Sequence, residues 1–324
     1  MSEQSFGELK DKTMEELFLI GQRYKMGRGV NKDDVEAFKW FRMAAEQGHV
    51  NAMYELGTMY DLGKGTRKNK KTAVKWYQEA AVHDHAMASY NLAIHYCLGE
   101  GIERNETEAK KWFLKSAKSG NVDAMFELGK IYEPCGYLDD DDIKESLKWY
   151  RRAARSGKIE AMYELGCKYE EGLLVEASKD KAEKWYRMAA KRGHDRAQYS
   201  LGLLLYDCNP SESAKWLHLA AERGIASAAY LLAINYEVGE GVERNRKEAI
   251  KWCRLAAKGG DVDAMAALGQ RYEKGDGVKT NIQAAIKWYR KASKAGDKYA
   301  YKRLRELEEQ SSTDPSVYSY LPRS

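Results

Sequence analysis

Histidine, cysteine and clustered aspartate are the side chains in this sequence that could hold a metal or act as nucleophiles. The chain has six histidines and five cysteines. His83 and His85 lie near His95 in the one local histidine cluster, but their spacing matches no zinc-ligand pattern. The cysteines are odd in number and form no CxxC pair, so the sequence predicts reduced thiols rather than a zinc site or a disulfide framework.

Two other motifs resemble ligand sites, and both are better explained as loops. The run from Asp139 to Asp142 lacks the alternating ligands and the central glycine of a calcium-binding loop. A Gly-x-Gly pattern, first seen at Gly27 and Gly29, recurs in five places, follows a helical pattern rather than a strand, and lacks the Lys-Ser/Thr of a phosphate-binding loop. No Gly-x-Ser-x-Gly motif is present either. The sequence therefore predicts no catalytic centre, no metal and no cofactor.

The elements that carry these residues are set by eight tryptophans. They are spaced 31 to 37 residues apart, at positions 40, 76, 112, 149, 185, 216, 252 and 288. A period of this length is typical of helical-repeat solenoids. A lysine precedes every tryptophan, and we expect the eight indole rings to lie in the core of the solenoid.

Each repeat is predicted to contain two helices, here called A and B. On helix A, counted from a Gly or Ala at position 0, an Ala at −5, a Leu at −1 and a Tyr at +3 share one face, as Ala52, Leu56, Gly57 and Tyr60 do. A glycine-rich link ends helix A, and a capping residue seven positions before the tryptophan starts helix B. A glutamate three residues after the cap in five repeats resembles a capping box. The predicted caps are Asp33, Asn69, Asn105, Asp142, Ser178, Asn209, Asn245 and Asn281.

The repeats bound the domain organisation. We predict a flexible amino terminus at residues 1–12, a solenoid with a closing helix at residues 13–309, and a flexible tail at residues 310–324. The fourth repeat has a link one residue longer, and in the sixth Asp207 to Pro210 replaces the whole link. Changes in the links of a solenoid often lie near function, so we expect any specialised patch in these two repeats.

Composition excludes several classes of protein. The net charge of +5 is a small difference between 54 basic and 49 acidic residues, which describes a solvated helical surface better than a nucleic-acid footprint. No apolar run is long enough to span a bilayer, and the first ten residues contain no secretion signal. We therefore expect a cytoplasmic protein, or one exported by a route that needs no such signal.

The pattern Ala-x3-Leu-Gly-x2-Tyr, Gly-x-Gly-Val and Asn/Asp-x3-Ala-x2-Trp-x3-Ala-Ala-x2-Gly resembles the Sel1-like repeat family, which is related to the tetratricopeptide repeats. The resemblance covers about residues 13–309 in eight units. It implies an all-α fold, a right-handed α-solenoid superhelix of eight helix-turn-helix repeats with a carboxy-terminal capping helix, and a role as an adaptor. A secreted, cysteine-rich branch of the family is associated with penicillin binding or β-lactamase-like activity, but this chain lacks the regular cysteine pairs of that branch.

The resemblance also implies that the A helices line the concave wall of the solenoid. Positions −3, −2, +1 and +4 then remain for a partner, because −5, −1, 0 and +3 face the core. Position −3 is aromatic in seven repeats, while −2 and +1 vary along the chain as a recognition surface should. The predicted groove residues are Tyr54, Glu55, Tyr90, Asn91, Ile94, Phe126, Glu127, Lys130, Tyr163, Glu164, Tyr199, Leu203, Tyr230 and Ile234. Packing of the −3 rings against the adjacent helix is the alternative, and the sequence leaves both open.

The sequence thus favours a non-enzymatic scaffold that binds a peptide or helix in its groove. Because acidic residues recur at position +4, as at Asp61 and Glu237, the expected partner carries apolar anchors and some positive charge. The alternatives are a penicillin-binding or β-lactamase-like enzyme and an RNA-binding helical-repeat protein. An acidic inner wall opposes RNA, since phosphate contacts need basic side chains.

Overall fold

The fold is given by a computed structural model that describes residues 12–133 and 140–313, with side chains described up to residue 309. Nearly all of the predicted flexible amino terminus (residues 1–12) and most of the predicted tail (residues 310–324) lie outside the described residues. Residues 134–139, in the lengthened link of the fourth repeat, lie outside them as well.

The described residues form 17 helices and no strand, which confirms the all-α prediction. Helices with odd numbers up to α15 are the A helices, those with even numbers are the B helices, and α17 follows the last pair. None of these helices is both long and apolar enough to cross a membrane. In chain order they are α1 Met14–Met26, α2 Asp34–Glu46, α3 Val50–Leu62, α4 Lys70–Val82, α5 Ala86–Leu98, α6 Glu106–Lys118, α7 Val122–Ile131, α8 Asp140–Arg155, α9 Ile159–Glu171, α10 Lys179–Ala190, α11 Asp195–Leu205, α12 Pro210–Glu222, α13 Ala226–Val238, α14 Arg246–Gly259, α15 Val262–Lys274, α16 Ile282–Lys294 and α17 Lys298–Thr313.

The chain divides into two compact units, residues 1–161 and 162–324. In the first unit a core cluster runs from Leu17 to Leu92. The second unit has one cluster that runs from Leu217 to Leu268 and another that runs from Ala285 to Leu307. In both units the core is built from side chains of consecutive helices, as expected where each repeat buries its apolar face against its neighbours.

Close packing of helix A on helix B depends on the small residue at position 0. A methyl group added at Gly57 would lie 2.8 Å from the ring of Tyr77, and one added at Gly129 would lie 2.7 Å from the ring of Tyr150. The residue that fills this space is the one that follows the tryptophan, and it is at most 1% exposed in every repeat. These residues are Phe41, Tyr77, Phe113, Tyr150, Tyr186, Leu217, Cys253 and Tyr289.

The tryptophans themselves lie beside the core rather than in it. Only Trp149 and Trp252 are buried, with 3% and 5% exposure, and the other six are half-buried. The prediction of eight core indoles was therefore wrong for six of them. Ala37, Phe41 and Ala44 lie at i, i+4 and i+7 and define the buried stripe of helix B, so the tryptophan falls on its edge.

Seven of the eight predicted caps of the B helices are confirmed. The Asn69 side chain, for example, accepts a hydrogen bond from the backbone N–H of Thr72 at 3.0 Å. The prediction for Asp142 was wrong, because α8 begins at Asp140 and Asp142 lies inside its first turn. The caps that form are Asp33, Asn69, Asn105, Ser178, Asn209, Asn245 and Asn281.

The glutamates that follow the caps do not complete capping boxes. The backbone N–H of Asp33 donates instead to the carbonyl of Tyr24 at 3.0 Å, at the end of the preceding A helix. Glu36 is left to pair with Lys39, the residue before the tryptophan, at 2.5 Å. The same pairing joins Glu248 to Lys251 at 3.0 Å. A capping box does form at Thr13 and Glu16, at the start of α1.

Candidate binding surface on the A helices

The A-helix face is defined here as the side chains at positions −3, −2, +1 and +4 of the A helices. Its −3 rings contact the buried residue that follows the tryptophan of the same repeat. In the first compact unit the ring centroids of Tyr54 and Tyr77 are 6.1 Å apart, and those of Tyr90 and Phe113 are 5.6 Å apart. In the second unit Tyr163 and Tyr186 are 5.8 Å apart. One side of these rings therefore packs against helix B, as the alternative interpretation of the sequence predicts.

A histidine covers a further part of the ring in three repeats. Tyr54 stacks on His85 with 4.6 Å between centroids, and Tyr163 stacks on His194 at 4.7 Å. Each histidine begins the next A helix, where Nδ1 of His85 accepts the backbone N–H of Ala88 at 3.1 Å. The turn position that His49, His85 and His194 share is thus a helix cap that also supports the aromatic row.

The −3 rings nevertheless keep a solvent-accessible part. Phe18 in the first repeat is buried, but the next six rings, from Tyr54 to Tyr230, are all half-buried. Their partners on helix B are almost completely buried. The predicted groove residues at −2 and +1 are likewise partly buried, except that Leu203 and Lys130 are exposed. The half-buried ones are Glu55, Asn91, Ile94, Glu127, Glu164 and Ile234.

Ion pairs compensate much of the negative charge on this face. Glu55 pairs with Lys25 of the preceding A helix at 2.5 Å. Glu127 pairs with Lys130 at 2.7 Å, and the Lys130 ammonium also lies 5.3 Å from the centroid of Phe126.

The acidic side chains at +4 are compensated in the same way. Asp61 pairs with Lys70 at 2.7 Å, while Glu237 is held by Arg271 and Glu273 by Arg303. The field of this face is consequently weaker than the acidic residues alone suggest, because each of these carboxylates is matched by a cation.

The hydroxyls of four tyrosines of the face remain protonated at neutral pH, since the pKa of each is raised. Burial raises the pKa of Tyr163 to about 12, with a further contribution from its hydrogen bond to Cys167. Burial also raises the pKa of Tyr90, Tyr199 and Tyr230. A neutral phenol can donate one hydrogen bond and accept others, so these rings can offer a partner both an apolar surface and a polar atom.

The histidine, cysteine and acidic side chains that could carry chemistry are not brought together. In the described residues no group of three or more His, Cys, Asp or Glu side chains could hold a metal ion. His95 is buried, with Nδ1 2.7 Å from the carbonyl of Glu100, and His85 caps its helix. The four described cysteines are free thiols, and Cys135 lies outside the described residues. Burial raises the pKa of the Cys253 thiol to about 11, which makes it a poor nucleophile at neutral pH.

Sequence reasoning missed two cavities of the second unit that lie between a B helix and the glycine-rich link of the next repeat. One of about 440 Å³ is lined by His218, Leu219, Tyr236 and Val242, and it lies along the B helix of the shortened sixth repeat. A second of about 1000 Å³ is lined by residues that include Ile250, Arg254, Tyr272 and Val278. The recurring Val after Gly-x-Gly is the sequence signal that could have located both.

Tandem helix pairs, a small residue where the two helices touch and capped links of constant geometry define an α-solenoid of the helical-hairpin class. The Sel1 repeat family matches the chain in eight consecutive segments: residues 17–49, 50–85, 86–121, 122–158, 159–194, 195–225, 226–261 and 262–297. The chain therefore belongs to the Sel1 repeat family, whose members are typically protein-interaction scaffolds.

Two solved structures are similar over most of the chain. A protective antigen present in uropathogenic Escherichia coli strains, which displays an SLR fold, is 30% identical, with a TM-score of 0.86 over 95% of this chain and 67% of that one. A Sel1 repeat protein from Oxalobacter formigenes is 28% identical, with a TM-score of 0.70 over 91% of this chain and 86% of that one. No curated protein matches the sequence.

Proposed function

We propose that the chain is a non-enzymatic scaffold of the cytoplasm that binds extended or helical segments of partner proteins on its A-helix face. The main observation that supports this proposal is that the −3 rings are half-buried. Each ring is fixed on one side by helix B, and from the second to the seventh repeat its remaining surface is accessible. Aromatic rings held rigid in this way lose little conformational entropy on binding, which is why such rings are enriched among the residues that dominate interfaces.

The residues around the rings indicate the chemistry of the partner. In the first unit the neighbours of Tyr54, Tyr90 and Phe126 are mostly polar, with Glu55, Asn91, Glu127 and Lys130 beside Ile94. In the second unit Leu203 and Ile234 make the neighbourhood of Tyr199 and Tyr230 more apolar. We therefore expect partner segments with apolar anchors in both units, and hydrogen-bonding or basic groups mainly on the first. Most carboxylates on this face are already ion-paired, so positive charge in the partner adds selectivity more than affinity.

Peptides selected from a random display library against the intact chain provide the test. Leu203→Lys, which alters the face of the second unit, should lower the affinity of peptides bound there about tenfold, which corresponds to about 1.4 kcal/mol. Lys130→Glu, which adds negative charge to the face of the first unit and removes the ion pair of Glu127, should raise the affinity of basic peptides bound there. Fluorescence anisotropy with labelled peptides measures the change. Because the two substitutions lie in different compact units, they also show which unit holds each peptide.

Matched controls lie on the B helices. Leu219 is 41% exposed and Leu203 is 42% exposed, so Leu219→Lys introduces the same charge at the same exposure within the same repeat. Lys118→Glu serves in the same way for Lys130→Glu, since both lysines are exposed. Peptides whose affinity changes with the control substitutions and not with the A-helix ones would show that the binding surface is wrongly assigned.

The free cysteines support the scaffold over the penicillin-binding alternative. That branch of the family is identified by regular cysteine pairs, whereas Cys97, Cys167, Cys208 and Cys253 are unpaired.

A further inference from the structure

The link between α3 and α4, together with the first turns of α4, is strongly basic. Residues 62–78 contain six basic side chains and no acidic one. Five of these cations, which we call the basic loop surface, have exposed side chains. They are Lys64, Arg67, Lys68, Lys71 and Lys75.

The other repeats show that the fold does not need this charge. The equivalent segment of the third repeat, residues 98–114, has three basic and four acidic side chains, and that of the seventh, residues 238–254, has five basic and three acidic ones. The links of these repeats have the same paired glycines, at Gly99 and Gly101 and at Gly239 and Gly241, all with positive φ. The basic loop surface is therefore an addition to a common scaffold.

The charge is also uncompensated. The sixth cation, Lys70, is held by Asp61 at 2.7 Å and by Glu100 at 2.8 Å. None of the five cations of the basic loop surface forms an ion pair within the described part of the chain. Lys70 and Lys71 open α4, where the preceding B helix has Asp34 and the next has Glu106. Positive charge is unfavourable at the amino end of a helix, so this arrangement lowers the stability of the chain on its own.

Exposed aliphatic side chains lie beside these cations. Leu62 ends α3 with 56% exposure, immediately before the link, and Leu98 ends the next A helix with 63% exposure. Met26 has the same position in the first repeat and is 52% exposed. Large apolar side chains thus recur at this exposed position in the first three repeats, so aliphatic surface is available to a partner beside the cations.

We propose that the basic loop surface, with Leu62 and Leu98, binds an acidic polypeptide segment that carries aliphatic side chains. Carboxylates would pair with the free cations, and aliphatic groups would cover the two leucines. Single-stranded nucleic acid fits less well, because its bases bind by stacking on aromatic rings and the exposed apolar side chains here are aliphatic. A flat anionic membrane fits less well too, because it would meet Glu100, Glu103 and Glu106 together with the cations, whereas a narrow peptide can place its aliphatic rather than its acidic side chains near Leu98.

The test uses the intact chain and a fluorescein-labelled peptide of four Glu-Leu-Glu units, with binding followed by anisotropy at low and moderate salt. The loop variant combines Lys64→Glu, Arg67→Glu and Lys68→Glu. The control variant combines Lys118→Glu, Lys184→Glu and Lys191→Glu, which changes the net charge equally at exposed positions outside the surface. The loop variant should bind about tenfold more weakly than wild type, the control should match wild type within about twofold, and added salt should weaken the binding.

A glutamine version of the loop variant, with unchanged thermal unfolding, separates a binding defect from a folding defect. Equal losses in the loop and control variants would overturn the proposal, because they would show attraction to net charge alone. Tighter binding of decauridylate RNA, or of vesicles that contain phosphatidylserine, than of the peptide would overturn the assignment of the partner. Leu203→Lys should leave this binding unchanged, so the outcome is independent of the function proposed for the A-helix face.

Discussion

At the scale of single residues, the histidines that open three of the A helices act as hydrogen-bond acceptors through Nδ1. Nδ1 of His49, His85 and His194 accepts a backbone N–H at 3.1 Å in each case. A protonated imidazole has no free lone pair and cannot accept this bond. In the same turn position Asn121 accepts the N–H of Ala124 at 2.9 Å with a side chain that does not titrate. The cap at His85, whose pKa is lowered by burial, is therefore sensitive to pH.

The first prediction concerns His85. Burial lowers the pKa of its imidazole in the folded chain below the unfolded value of about 6.5. Above that pH the imidazole is neutral in both states and the cap is complete. As the pH falls below it, the unfolded chain takes up the proton first, so the free energy of unfolding decreases until the pH passes the folded pKa.

Replacement by His85→Asn keeps a cap and removes this contribution. Urea unfolding at about pH 5.5 and about pH 7.5 should show that the free energy of unfolding rises less with pH in the variant than in the wild type. The difference between the two proteins should not exceed the contribution of one titrating proton. Parallel pH dependence in the two proteins would contradict the role given to His85.

The tryptophan of helix B was predicted from the sequence to be the core residue, but the residue that follows it is the buried one. Trp76 is half-buried, whereas Tyr77 is 1% exposed and meets Gly57. The spacing of Ala73, Tyr77 and Ala80 at i, i+4 and i+7 contained this information. The partial exposure of the −3 rings depends on tertiary packing, so periodicity alone could not have given it.

At the scale of elements, the glycine-rich links have two different requirements. The first glycine, such as Gly63 or Gly99, ends helix A in the left-handed conformation. The second glycine of Gly-x-Gly lies against the first turn of the B helix of the preceding repeat. A methyl group at Gly101 would come within 2.5 Å of the carbonyl carbon of Lys70. The first repeat has no preceding helix pair, and a methyl group at Gly29 would meet nothing within 4 Å.

The second prediction separates conformation from contact at this glycine. Gly29 and Gly101 have φ values of 72° and 75°, so alanine at either costs about 1–2 kcal/mol for the left-handed backbone. Only Gly101→Ala also forces the link away from α4, which adds about 1–3 kcal/mol. Urea titrations should therefore give a clearly lower free energy of unfolding for Gly101→Ala than for Gly29→Ala. Equal losses would mean that backbone conformation alone requires the second glycine.

The limits of the elements were largely predictable, because caps and glycines are local signals. Asp142 was the exception, since the four consecutive aspartates at positions 139 to 142 offer several helix starts and α8 begins at Asp140. Which carboxylates are neutralised was not predictable from sequence. Glu55 pairs with Lys25 across 30 residues of chain, and that contact exists only once neighbouring A helices pack together.

At the scale of the whole molecule, each repeat packs against its neighbours in the sequence. Core clusters join consecutive helices, and the chain forms two compact units at residues 1–161 and 162–324. In an array of this kind stability is a sum of repeat and nearest-neighbour terms, so a local defect opens part of the chain before the rest. Two surfaces on one such chain can therefore be perturbed separately.

The last prediction tests this with equivalent defects in the two units. A methyl group at Gly57 would lie 2.8 Å from the ring of Tyr77, and one at Gly269 would lie 2.8 Å from the ring of Tyr289. Overpacking lowers the free energy of unfolding by about 1–3 kcal/mol, and the better helix propensity of alanine offsets up to about 1 kcal/mol of this loss. Hydrogen exchange followed by mass spectrometry should show faster exchange in α3, α4 and their neighbours for Gly57→Ala, with α15 and α16 unchanged. Gly269→Ala should give the converse pattern. Faster exchange along the entire chain in both variants would contradict this prediction. It would show that a defect in one unit also removes the protection of the other, so that the two units unfold together.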